Sequence, residues 1–162
     1  MSTVLLPTPA TAGGVPVDPI DVTEAFLAAL AAGELDEAIS YLGDEVHYVN
    51  VGFPALDGAE TVRRAFKGLD RPGVGFEAYL HAISADGPVV LTERTDVIQL
   101  GPFRWQFWVM GRFDVHDGRI TLWRDGFDVA DLLKATVRAV IGAAVPALRP
   151  TPPEDLLVPP GR

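Results

Sequence analysis

The sequence predicts an α+β domain in which N-terminal helices and a strongly curved, mixed but mostly antiparallel sheet form a cone around a pocket. Three observations carry this expectation. Apolar residues recur at helical spacing through the first part of the chain. From Val74 onward the period changes to two, in long runs joined by tight turns, and after Asp128 the helical period returns. Helices, then hairpin-linked strands, then a closing helix read as one sheet with helices on one face. A sheet of that length that curves strongly encloses an interior.

The elements follow in order. Asp18 and Pro19 are an N-cap and first-turn pair, and Ile20, Phe26, Leu27 and Leu30 follow at helical spacing until Gly33. A short helix is expected from Glu34 to Leu42, stopped by Gly43, and a strand from about Glu45 to Val51. The segment FPALDG reads as a loop. A third helix, Ala59 to Leu69, places Val62, Ala65, Phe66 and Leu69 on one side. Four strands are expected in GFEAYLHAIS, VVLTERTDVIQL, FRWQFWVMGRFDV and RITLWRDGF, joined by the turn signals ADGP, GPF and HDGR. Turns this short impose antiparallel pairing. Asp128 caps a last helix from Val129 to Ala144.

Proline marks the limits of the domain. Four of the 14 prolines lie between Pro7 and Pro19, and six lie between Pro146 and Pro160. Residues 1–17 are therefore expected to be a flexible arm and 146–162 a proline-rich tail, around a domain at 18–145. The 162 residues, 48% of them hydrophobic, suffice for one sizeable core. A formal net charge of −9 argues against nucleic acid or an anionic membrane as partner, since both demand a basic footprint. No apolar run reaches the roughly 20 residues of a bilayer span, and the first residues lack the charge and apolar run of a signal peptide. A cytoplasmic protein is expected. Without cysteine there is no thiol chemistry, and His47, His81 and His116 lack metal-ligand spacing, so no metal is expected.

Side chains alternate faces along a strand, so each strand reads as two rows. One row of VVLTERTDVIQL is Val90, Thr92, Arg94, Asp96, Ile98 and Leu100, which sets Arg94 beside Asp96 on a face apolar at both ends. One row of RITLWRDGF is Thr121, Trp123, Asp125 and Phe127, a carboxylate between two large aromatics. The intervening strand offers Phe103, Trp105, Phe107, Val109 and Phe113. If these rows line one concave face, two aspartates and an arginine share an apolar cavity. Buried charges persist only when paired and hydrogen-bonded. One arginine between two aspartates leaves excess negative charge, which a single shared proton relieves. A protonated acid beside an ionised base is equipment for acid–base catalysis. Tyr48 and Asn50, two apart on another strand, could orient a water. The competing readings are plainer: a solvated Arg94–Asp96 pair, a turn role for Asp125, a surface hydroxyl on Tyr48. Asp128 is the better helix cap, which weakens the second of these.

YVN at 48–50, TERTDV at 92–97 and LWRDGFD at 122–128, in this order and spacing, resemble the limonene-1,2-epoxide hydrolases. Those enzymes share the nuclear-transport-factor-2-like, or cystatin-like, cone with ketosteroid isomerases and SnoaL-like cyclases. The resemblance covers about residues 20 to 140. It implies that Asp125 activates a water also held by Tyr48 and Asn50, that Asp96 protonates the epoxide oxygen, and that Arg94 bridges the two. It implies a one-step opening to a vicinal diol with no cofactor. The partners it implies are a small apolar epoxide and water, with Leu27, Leu30, Ile98, Phe107, Val109, Trp123 and Phe127 as the substrate wall. It further implies a homodimer, consistent with the large apolar groups in the outward row Arg104, Gln106, Trp108, Met110 and Arg112. Gly126, Trp105 and Trp108 depart from the family pattern and bear on substrate rather than mechanism. An epoxide-opening cyclase or isomerase of the same fold, or a non-catalytic binding dimer, remains as an alternative.

Overall fold

The computed structural model describes residues 18–69 and 71–153; the expected arm at 1–17 and the end of the expected tail, 154–162, lie outside the described residues. Helix α1, Pro19–Ala31, starts where Asp18 accepts a hydrogen bond from the Ile20 amide (2.8 Å) with proline in the first turn. It buries Val22, Phe26, Leu27 and Leu30. Helix α2, Leu35–Ser40, is shorter than the sequence suggests, because strand β1, Leu42–Asn50, already begins before Gly43. Gly43 does not stop a helix. It lies within β1 beside β6, next to the Leu42–Ile120 pair, where an added Cβ would make only ordinary contact with the Ile120 carbonyl oxygen (3.5 Å). The expected loop FPALDG contains a two-residue strand, β2, Leu56–Asp57, which pairs with β1. Helix α3 spans Ala59–Phe66 and ends before Leu69.

The remaining strands are β3, Val74–Asp86; β4, Val89–Leu100; β5, Phe103–His116; and β6, Arg119–Phe127. Together they form one six-stranded sheet in the order β2-β1-β6-β5-β4-β3. All neighbours are antiparallel except β1 and β6. The β5–β6 turn is Asp117–Gly118, both at positive φ (50° and 74°), the backbone that a two-residue hairpin turn needs. The parallel β1–β6 pair has the most consequence for function, since it sets Tyr48 beside Trp123 and Asn50 beside Asp125.

Besides a register shift between Leu42 and His47 in β1, two irregularities bend the sheet. One lies between Leu80 and Ala82 in β3; the other lets Val115 pair with Ile120 while Asp114 pairs with Leu122. Bulges increase local twist and bend a strand. The second corrects the sequence reading: Thr121 is the extra residue, exposed and hydrogen-bonded to the Asp114 carbonyl, while Ile120 takes the interior position. The row Trp123, Asp125, Phe127 holds beyond it. Leu100 and Phe103, which flank the β4–β5 turn, are exposed.

The core lies on the concave face, under α1. Phe26 meets Trp123 edge-on at 4.9 Å and Phe113 at 6.1 Å, and Tyr48 stacks on Trp123 at 3.9 Å. Helix α4, Val129–Ala144, packs Ala135 against Phe107 and Val109 and covers one end of the cone. There β5 runs past β6, leaving an unpaired edge, and Asp131 accepts a hydrogen bond from the Trp108 amide (2.9 Å). The chain keeps to the domain beyond residue 145. Pro146–Leu148 forms a 3₁₀ turn, Arg149 Nε donates to the Gly142 carbonyl, and Gln106 donates to the Thr151 carbonyl.

Candidate active site

Strand alternation and sheet order bring Arg94, Asp96 and Asp125 together inside the cone. Arg94 is 0% exposed, Asp96 5% and Asp125 3%. Arg94 clasps Asp96 with two hydrogen bonds, Nε to Oδ1 and Nη2 to Oδ2, both 3.0 Å. Its Nη2 also donates to Asp125 Oδ1 (2.9 Å), and Nη1 donates to Thr92 Oγ1 (3.2 Å). Trp123 Nε1 donates to the other Asp125 oxygen (2.9 Å). The guanidinium carbon lies 5.6 Å from the centre of the Phe113 ring, within cation–π range.

The electrostatics follow from burial. One cation faces two carboxylates in an interior where charge is expensive. Burial pushes the Asp125 carboxyl up to about 6, the Arg94 guanidinium opposes the rise, and the charge of Asp96 adds to it. Burial works against the charge on Arg94 too, but Asp125 and Asp96 outweigh it and hold the guanidinium above its ordinary value. The Tyr48 phenol is raised by burial and then by the Asp125 charge, so it is a neutral hydroxyl. That hydroxyl accepts a hydrogen bond from Asn50 Nδ2 (2.6 Å), which leaves its own proton free to donate.

These groups form the polar patch of a cavity of about 340 Å³. Asp96, Asp125, Tyr48 and Asn50 all line it, while Arg94 stands behind the two aspartates. Of the expected substrate wall, Ile98, Phe107, Trp123 and Phe127 line the cavity. Leu27, Leu30 and Val109 do not. Leu27 and Leu30 belong to the core that α1 shares with Trp123 and Phe113, and Val109 lies in the α4 cluster with Ala135. The sequence reading missed Phe53, Phe66, Leu69, Phe76, Trp105 and Leu132 as wall residues. Phe66, Leu69 and Trp105 were legible as apolar faces, but only the packing of α3 and α4 shows what those faces meet. His47 pairs with Asp57 and His81 with Thr95; neither they nor His116 line the cavity. Among the described residues no cluster of three or more histidines and carboxylates is placed to hold a metal ion.

A cone-shaped sheet holding an Asp–Arg–Asp set defines a class, and comparison with known proteins agrees with it. An NTF2-like protein from Cytophaga hutchinsonii superimposes with a TM-score of 0.60 at 17% identity, over 74% of this chain and 97% of that one, a likeness of fold. The model of the limonene-1,2-epoxide hydrolase catalytic domain matches residues 17–138, and the chain belongs to that family. It is 49% identical over 131 residues to epoxide hydrolase EphG of Mycobacterium tuberculosis, covering 79% of this chain and 85% of the relative. The structure of an M. tuberculosis LEH-like epoxide hydrolase superimposes with a TM-score of 0.79 at 46% identity, over 83% of this chain and 95% of that one.

The raised Asp125 carboxyl makes the site a stability cost at neutral pH. Its folded value of about 6 exceeds the ordinary 3.8. The folded protein therefore binds this proton more tightly than the unfolded chain, and the resulting stability is present below about pH 4 and lost as pH rises through 6. The unfolding free energy of the native protein relative to Asp125→Asn should fall between pH 4 and 7 by on the order of 3 kcal/mol. Urea unfolding at the two pH values checks this; a difference that does not change with pH contradicts it.

Proposed function

We propose that the chain hydrolyses an apolar cyclic epoxide, adding water in one acid–base step to give a vicinal diol. The observation that carries this reading is the Arg94 bridge between two buried carboxylates on the wall of an otherwise apolar cavity. Family membership and the names of the relatives support epoxide hydrolysis in general. The step itself is built from the residues. Asn50 lies beside Asp125 in the β1–β6 register, and the Tyr48 proton is free, so a water can be held between them. That water donates to Asp125, and the added hydrogen bond favours the ionised carboxylate there. The proton that the pair shares then resides on Asp96. As Asp125 takes a proton from the water, the water oxygen bonds to an epoxide carbon, the carbon–oxygen bond of the ring breaks, and Asp96 gives its proton to the ring oxygen. Arg94 keeps both carboxyls in place and offsets their charge throughout.

The wall supports an apolar substrate of monoterpene size or larger, since Ile98, Phe107 and Phe127 offer no hydrogen bond. Selection by shape alone discriminates modestly, by roughly tenfold to two-hundredfold per methylene, so several cyclic epoxides should be turned over. We assign the functional unit as a homodimer that covers the outer face of the sheet, where Trp108 and Met110 are exposed. An isomerase needs one basic carboxylate and donors for an enolate, and the Arg94-bridged pair favours epoxide opening over it.

Two outcomes test the reading on limonene oxide and cyclohexene oxide. Asp96→Asn and Asp125→Asn should each lower kcat by about a hundredfold to ten-thousandfold. The double variant should lose little beyond the worse single one, because the two groups act in one step. A single variant within about tenfold of native activity removes that residue from the mechanism, such a loss lying below the acid–base range. In heavy-oxygen water with enzyme in excess, the diol of the first turnover should carry the label. Label in the Asp125 carboxylate with unlabelled diol contradicts direct attack by water and indicates a covalent ester.

A further inference from the structure

Arg94 and Asp125 are not on neighbouring strands. Strands lie about 4.8 Å apart, so β4 and β6 are separated by about 10 Å with β5 between them. The cross-strand partner of both Thr92 and Asp125 is Gly111 on β5. We propose that Gly111 is a positioning residue, its missing side chain forming the passage through which Arg94 crosses β5 to reach Asp125, and that the Thr92 hydroxyl fixes the guanidinium in that passage. The proposal rests on the reading of Asp125 and Asp96 as the acid–base pair.

The geometry is specific. A Cβ at Gly111 would lie 2.5 Å from Thr92 Oγ1, closer still to Arg94 Nη1, and 3.0 Å from Asp125 Oδ1. The backbone there is not at positive φ, so space, not conformation, calls for glycine. Its neighbours on the same row, Phe107, Val109, Phe113 and Val115, are all large and buried. A glycine inside a buried strand weakens it, and here it opens a gap of one side chain in an otherwise continuous apolar row. Nor can the crowded atoms move aside freely. Arg94 has no exposed surface and is held by Asp96, Asp125 and Thr92. Its contact with Asp96 is double and lies within one strand, whereas its contact with Asp125 is a single hydrogen bond across two strand spacings. An added methyl group therefore breaks the Asp125 link first. Thr92 Oγ1 donates to the Gly111 carbonyl (3.5 Å), which turns its lone pair toward Arg94 Nη1 (3.2 Å). The two residues form one device, a gap and a peg.

The consequence for Asp125 has a definite sign. The groups that face it are Arg94 and Asp96 from β4, Tyr48 and Asn50 from β1, and Trp123 on its own strand. Arg94 is the one cation among them and lowers the Asp125 value. Withdrawing it raises that value and frees the carboxylate to turn.

The test compares Gly111→Ala, Thr92→Val and Thr92→Ser with the native protein. Circular dichroism establishes that each is folded, kcat and KM are read on cyclohexene oxide, and carbon NMR of the aspartate carboxyls reads titration without substrate. Gly111→Ala should leave KM unchanged, lower kcat by about a hundredfold, the usual effect of a displacement near 1 Å, and move the Asp125 titration to higher pH. Thr92→Val should lower kcat by about tenfold, as loss of a hydrogen bond to a charged group implies, and Thr92→Ser should restore it. A folded Gly111→Ala with native kcat and native Asp125 titration overturns the proposal. If Gly111→Ala does not fold, the threonine pair decides, and Thr92→Ser as slow as Thr92→Val overturns it. The parent reading fails separately: it falls if Asp96→Asn or Asp125→Asn stays active, whatever Gly111→Ala does.

Discussion

A guanidinium with no exposed surface survives in an apolar interior only when its donors are met by acceptors and its charge by opposite charge. Arg94 meets both conditions through Asp96, Asp125 and Thr92, residues drawn from β4 and β6. Much of the architecture follows from that requirement. The three strands β4, β5 and β6 must stay in register, the middle one must carry no side chain where the arginine crosses, and the surroundings must exclude water. The aromatic layer of Phe26, Phe113 and Trp123 supplies the last condition, and Trp123 supplies a hydrogen bond to Asp125 as well.

On the proposed mechanism, the same constraint lets an uncharged substrate be activated without a strong acid in solution. In water, two aspartates and an arginine would all be ionised at neutral pH. Burial, together with the imbalance of one cation against two carboxylates, keeps a proton within reach of neutrality, as the raised value of Asp125 expresses. The same burial that the proposed mechanism needs makes the pair unfavourable to fold around. On that mechanism function and stability are in opposition at this site, a common position for buried catalytic groups.

The sequence carried the local part of this arrangement and little of the non-local part. The period of two along VVLTERTDVIQL is enough to put Arg94 and Asp96 on one face, and the same rule pairs Trp123 with Asp125. The bounds of β4, β6 and α4 were legible for the same reason, strong periodicity between clear turn signals. The parallel pairing of β1 with β6 was not, because it joins residues far apart in the chain through closure of the sheet. The bulge at Thr121 depends on pairing with β5, and the place of Gly43 inside a strand depends on the pairing of β1 with β6; both were misread from local signals. Leu27 and Leu30 have the right chemistry for a pocket wall but lie in the core that α1 forms with Trp123. Gly111 left no chemical signal in its row, since what matters there is the absence of a side chain. Only the crossing of Arg94 gives that absence meaning.

The proposed chemistry requires that Arg94 hold two carboxylates that share one proton. Carbon NMR of selectively labelled aspartate carboxyls, followed from pH 3 to 9 in the native protein, tests it most directly. One proton should stay on the Asp96–Asp125 pair until the pH passes about 6, and the two carboxyl signals should shift together as it leaves. Two carboxyls that ionise independently, both within the ordinary range near 4, would contradict it.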